Sequence, residues 1–141
     1  RGSDERQYCA PGVDLPVAVF CRSKFGDYDE YHTSMDNLNF ISSDGFQGSF
    51  NVIKKVVDSL EINKKVKSKF LCEPQLGKRG LYPEISKKDI YDEIFLQSNI
   101  IAYADGRSLL DIAEVLDVPI WELQKISSKL EENRILSLKT L

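Results

Sequence analysis

His32 is the only histidine among the 141 residues, and Asp36 follows it by four positions in the run Tyr31, His32, Thr33, Ser34, Met35, Asp36, Asn37. Imidazole is neutral enough near pH 7 to ligate a metal and basic enough to shuttle a proton, so a histidine beside carboxylates points to metal binding or general acid–base work. An acidic, turn-rich stretch, Lys24, Phe25, Gly26, Asp27, Tyr28, Asp29 and Glu30, leads into it. One histidine cannot complete a site, and the plainer reading of a lone loop histidine is a side chain with no role.

The elements that must position this loop are readable on either side. Val17, Ala18, Val19, Phe20 and Cys21 form a nearly all-apolar, β-branched run, the pattern of a strand buried on both faces of an α/β sheet. That order puts His32 just beyond the C-terminal end of a strand, where open α/β sheets place their ligands. After Gly45 and Gly48, Ser49 is placed to cap a helix with Phe50, Ile53, Val56, Val57 and Leu60 on one face and Lys54, Lys55 and Asp58 on the other. Residues 64–69 carry four lysines and read as a solvated linker or face. Residues 72–83, with two glycines and two prolines, read as an ordered loop closing a first domain over residues 1–83.

From Ser86 the texture changes to short helices, which predicts a second domain over residues 84–141. Ser86 is placed to cap a helix carrying Ile90, Ile94 and Ile101, ending at Asp105 and Gly106. Ser108 caps another with Leu109, Ile112, Ala113 and Leu116, and Pro119 opens a third with Leu123, Ile126 and Leu130. Ile135, Leu136, Ser137 and Leu138 alternate as a strand. Three helices with a tight turn between the last two, then a strand, predict a winged helix-turn-helix. The fold class is therefore α/β, an α/β portion followed by a small winged helix-turn-helix domain.

Charge limits what that second domain does. Residues 1–83 hold 12 Lys+Arg against 11 Asp+Glu, whereas residues 84–141 hold 7 against 11. The prospective recognition helix, residues 118–132, has two lysines against three glutamates. Nucleic-acid binders draw most of their affinity from cations, so this balance argues against a nucleic-acid partner and favours protein contacts or self-association through the winged helix. Cys9, Cys21 and Cys72 are odd in number and form no Cys-x-x-Cys pair, which reads as reduced thiols in the cytoplasm. No apolar run approaches the roughly 20 residues that span a bilayer, so no membrane partner is expected. The chain opens at Arg1 without a methionine, and the expectation is a piece of a longer protein.

Gly2, Ser3, Asp4, Glu5, Arg6, Gln7 and Tyr8, then Pro11 through Val17, then Tyr31, His32 and Thr33 with Asp36 and Asn37, resemble a known pattern. The pattern is similar to the C-terminal part of the zinc aminopeptidase-like domain of co-catalytic zinc peptidases and glutaminyl cyclases. Glu5 stands where that superfamily usually has a histidine. Residues 73–83, Glu-Pro-Gln-Leu-Gly-Lys-Arg-Gly-Leu-Tyr-Pro, resemble a bacterial group of zinc aminopeptidase-like proteins, often sited among polysaccharide biosynthesis genes, that continue into a winged helix.

The resemblance implies a C-terminal fragment of a zinc-dependent aminopeptidase-like hydrolase acting on a peptide or amide small-molecule substrate. It implies His32 as a terminal zinc ligand and Asp36 as acceptor of the other ring N–H, although Asp36 could equally cap a helix near Met35. Tyr31 would steady the oxyanion of a tetrahedral intermediate, or be a partly buried aromatic. Asp4 would join a hydrogen-bond network beneath the metals, or cap the helix that holds Tyr8. Arg6, Lys78 and Arg79 could contact a substrate carboxylate or phosphate. The remaining zinc ligands and the general-base glutamate would lie upstream, so the fragment alone is expected to bind zinc poorly and hydrolyse nothing. A second reading is a non-catalytic winged-helix binding or regulatory module supported by the α/β portion.

Overall fold

The computed structural model describes residues 4–82 and 88–141, and the side chains of the latter stretch from residue 92 onward. Ser86 as a cap, Pro83, and the Ile90 side chain lie outside the described residues. The chain divides into two units, Arg1–Val52 and Ile53–Leu141.

In the first unit, α1 (Asp4–Tyr8) carries Asp4 and Glu5 in its first turn, where carboxylates oppose the positive end of the helix dipole. The chain then turns back: Val13 and Asp14 both donate from their backbone N–H to the Ala10 carbonyl, with Gly12 at φ +89°. Residues 14–21 are irregular. The strand expected over residues 17–21 does not form, so His32 does not follow a strand. The physical reason is that a strand needs a ladder partner, and the described strands all lie in the second unit, paired with one another.

Helix α2 (Ser43–Ile62) begins in the first unit and ends in the second. It starts earlier than the Ser49 cap predicts. The Ser42 hydroxyl accepts from the Gly45 N–H at 3.1 Å, as an N-cap does, while Ser49 Oγ donates to the Gly45 carbonyl at 3.1 Å. Gly45 and Gly48 sit inside the helix, and Gly48 makes room for Arg22, whose Nη1 donates to the Gly45 carbonyl at 2.8 Å. A Cβ on Gly48 would stand 2.8 Å from that nitrogen.

The second unit forms a three-stranded antiparallel sheet, β1 (Lys64–Ser68), β2 (Asp105–Ser108) and β3 (Leu136–Thr140), in the order β2-β1-β3. Helices α3 (Lys88–Ala102), α4 (Leu109–Leu116) and α5 (Ile120–Glu132) complete it. The lysine run thus forms the central strand and no linker: side chains alternate, so Val66 is fully buried opposite Leu138 while Lys65 and Lys67 point outward and Lys64 is exposed at the strand's start. Its lysine-rich composition hid a strand whose inward face holds little more than one valine.

Helix α4 begins as expected at Ser108. Its hydroxyl accepts from the Asp111 N–H at 3.1 Å and the Asp111 carboxylate accepts from the Ser108 N–H at 3.0 Å, a reciprocal capping box. Asp117, at φ +53°, ends α4, and Pro119 stands at the N-cap of α5, one position before the helix itself. Ile100, Ile112, Leu123, Leu130, Ile135 and Leu136 have no exposed surface or almost none. Each such side chain contributes roughly 1.5–3 kcal/mol by leaving water. Leu76 and Leu81 join this core from the Gly/Pro-rich segment, which turns through a short 3-10 helix (Gly77–Arg79) to Gly80 at φ +65°. Gln97, buried beside them, donates to the Leu81 carbonyl at 3.4 Å.

Candidate functional site

The residues around His32 form a chain of tight turns. Thr33 Oγ1 donates to the Glu30 carbonyl at 2.8 Å and accepts from the Met35 N–H at 3.2 Å, so one hydroxyl closes the turn on both sides of the histidine. The Asp36 N–H donates to the Thr33 carbonyl at 3.2 Å, and Asn37 continues the pattern through Ser34 and Asn39. His32 itself adopts φ +59°. A residue with a Cβ pays roughly 1–2 kcal/mol in that left-handed region, and such strain concentrates at functional positions.

The ring of His32 stacks on Tyr31, with centroids 4.0 Å apart and planes at 15°. Tyr31 in turn meets Phe25 at 5.7 Å and the edge of Tyr28 at 6.0 Å, and Tyr28 stacks on Phe40 at 5.5 Å. The imidazole is therefore held by an aromatic cluster gathered from residues 25–40, while Tyr31 and His32 both remain exposed. Asp36 lies in the same turn series, and no helix starts near Met35; the helix that follows begins at Ser43. That removes the capping role considered for Asp36. Asp4 opens α1 and has interactions of its own.

Among the described residues no three His, Cys, Asp or Glu side chains are placed to share a metal ion. A lone exposed imidazole fits one coordination position of a zinc site and no more. An open cavity of about 590 Å³ lies in the second unit, lined by residues that include Phe70, Leu71, Cys72, Glu73, Leu76 and Ile101. Neither Tyr31 nor His32 lines it.

Two features of the second unit escaped the sequence reading. The Asn63 side chain accepts from the Leu110 N–H at 3.0 Å and so ties the end of α2 to the start of α4. Trp121 stands half exposed on α5 with the Lys55 ammonium 5.3 Å from its ring centre, a cation–π contact. Lys129, counted above as a cation available for DNA, is 3.4 Å from Glu93. The exposed residues of α5 thus include Trp121, Glu122 and Glu132 beside Lys125 and Lys129, without the cation surplus of a duplex-reading helix.

Strand order, the three helices and the tight α4–α5 turn define a winged helix-turn-helix. The family model for the winged helix-turn-helix matches residues 64–138, and this chain belongs to that family. Residues 1–63 match a domain family of unknown function, DUF4910.

A candidate polysaccharide biosynthesis protein with an aminopeptidase-like domain, from Clostridium acetobutylicum, is 44% identical over 116 residues, covering 79% of this chain and 26% of that protein. The crystal structure of a candidate peptidase from the same organism superposes with a TM-score of 0.82 at 34% identity, over 98% of this chain and 30% of that one. The chain therefore spans between a quarter and a third of the length of the relatives it matches.

Proposed function

We propose that this chain is the C-terminal part of a zinc-dependent aminopeptidase-like hydrolase, in which His32 supplies one metal ligand and the winged helix serves assembly. The observation that carries the reading is the likeness to the candidate peptidase, which extends over 98% of the chain and through both units. His32 supports it locally, because its ring is stacked on Tyr31 and held at the surface by an aromatic cluster.

In this reading His32 binds as the neutral imidazole, and stacking on Tyr31 limits the rotation of its ring. Asp36 accepts the other ring N–H and fixes the tautomer. The Tyr31 phenol donates to the oxygen that becomes negative as a peptide or amide carbonyl is attacked. Asp4 belongs to the hydrogen-bond network under the metal. Zinc, when bound, supplies Lewis acidity and a water acidified toward neutral pH. The other ligands and the general base come from outside residues 1–141.

The test is the zinc content of the full-length protein, measured by plasma mass spectrometry beside His32→Ala. Bound zinc that falls in the variant supports the reading. A full-length protein that binds no zinc under any purification defeats it.

A second reading makes the winged helix the working part, as a non-catalytic binding or regulatory module. The family match over residues 64–138 favours it. Trp121 and the acids of α5 direct it toward protein. A DNA titration at low salt that shows no binding removes its nucleic-acid form.

A further inference from the structure

We infer that the outward face of the sheet, built on Lys65, Lys67 and Lys139, docks an extended acidic segment of a partner protein. This locates the protein contact proposed for the winged helix and does not draw on the zinc site. Residues 65 and 67 alternate with buried Val66, so both lysines leave the sheet on the side away from the core. Lys139 of β3 stands directly opposite Lys65, and Lys64 and Lys69, at either end of β1, are exposed as well. The Cβ atoms of residues opposite one another in an antiparallel pair lie roughly 5 Å apart, so the register sets two lysines side by side, which destabilises the sheet. No carboxylate relieves them. Asp105 is the only acid in the three strands, and Arg107 engages it at 3.1 Å. Glu131, beside β3, accepts from the Leu138 N–H at 2.9 Å. Among the described residues, none of these five lysines forms an ion pair.

Lysine is a poor strand former, and its usual place in sheets is an exposed edge, where it deters unwanted pairing. β1 is the central strand, with both sides taken by β2 and β3, so edge protection does not explain this run. Solubility does not require it either, because charges of either sign serve and the chain as a whole stands at −3. A face that carries unrelieved like charge fits a partner that brings the opposite one. The spacing gives the partner's form: Lys65 and Lys67 are roughly 6.6 Å apart along β1, the repeat of alternate side chains in any extended chain. Glutamates or aspartates at every second position of an extended segment meet both, and Lys139 meets a third from the side. Nucleic acid fits less well. A single strand is held by aromatic rings set among cations, and the outward positions Lys65, Lys67, Ser137 and Lys139 supply none. A duplex reader carries cations on its recognition helix too, where α5 exposes Glu122 and Glu132.

The experiment titrates the full-length protein into a fluorescein-labelled peptide of alternating glutamate and serine, read by fluorescence anisotropy at about 50 mM salt. Saturable binding is expected, weakening as salt rises. Lys65→Gln with Lys67→Gln weakens it at least about fivefold, whereas Lys125→Gln with Lys129→Gln, the same loss of charge on α5, changes it less than about twofold. Lys139→Gln weakens binding and yet raises the thermal midpoint of the free protein, because it removes a repulsion. No binding, or equal binding by both pairs of variants, overturns the inference. So does tighter binding of a single-stranded or duplex oligonucleotide of the same charge, which assigns the face to nucleic acid. Peptide binding in a protein without zinc keeps this surface and sinks the hydrolase reading; a protein with zinc that ignores the peptide does the reverse.

Discussion

Residues 63–141 and residues 4–62 use the same sequence device with opposite results. In α4 and α5 the apolar positions recur at helical spacing, and Leu109, Ile112, Leu123, Ile126 and Leu130 are buried. In α2 the spacing is as regular, yet Phe50, Ile53, Val57 and Leu60 stand in the open. Amphipathic periodicity states that a face will be covered; it does not say that the cover lies in the same 141 residues. The winged helix closes its core on itself, whereas no described residue of the first region is buried.

The sharpest way to break this contrast is a matched pair of truncations in the chain itself. Leu123→Ala, in the closed core, costs about 2–5 kcal/mol in a denaturant melt followed by circular dichroism. Leu60→Ala, on the open stripe, shifts the same melt by less than about 0.5 kcal/mol. Equal losses would erase the distinction between the regions. Next in size is the cap of α4: Ser108→Ala removes the hydroxyl that receives the Asp111 N–H and lowers stability by about 1 kcal/mol.

A smaller effect is tied to pH. Hydrogen bonds from the Ser108 side chain and then its backbone N–H hold the Asp111 carboxyl below the ordinary aspartate value of 3.8. A depressed carboxyl contributes stability that is present above about pH 4 and is lost as pH falls through the folded pKa, below 3.8. Asp111→Asn therefore flattens part of the acid limb of the stability curve and leaves its shape above pH 5 unchanged. The smallest effect is on DNA. Duplex binding followed by fluorescence anisotropy at about 20 mM salt is absent, and Lys125→Ala leaves it absent.

What could be read from the sequence divides along the same line. Ser108, Asp117 and Pro119 declare α4 and α5 because caps and turns are decided by neighbours a few residues away. The strand expected at residues 17–21 does not form, since a strand exists only through its ladder and none of the described strands pairs with it. The central strand β1 was missed because four lysines mask one buried valine. The start of α2 lies earlier than expected because Gly45 and Gly48 read as breakers, whereas Gly45 receives the Ser42 cap and Gly48 clears Arg22. His32 was legible as a chemical group, and its tyrosine stack was legible as adjacency. Its positive φ was not, because Thr33 imposes it through a turn.

The central claim, that His32 completes a metal site built mostly elsewhere, is tested most directly by X-ray absorption at the zinc edge of the full-length protein. An imidazole nitrogen at roughly 2.0–2.1 Å is expected, and in His32→Ala it is lost with most of the zinc affinity. An unchanged imidazole shell in that variant, or no zinc in the parent protein, would contradict it.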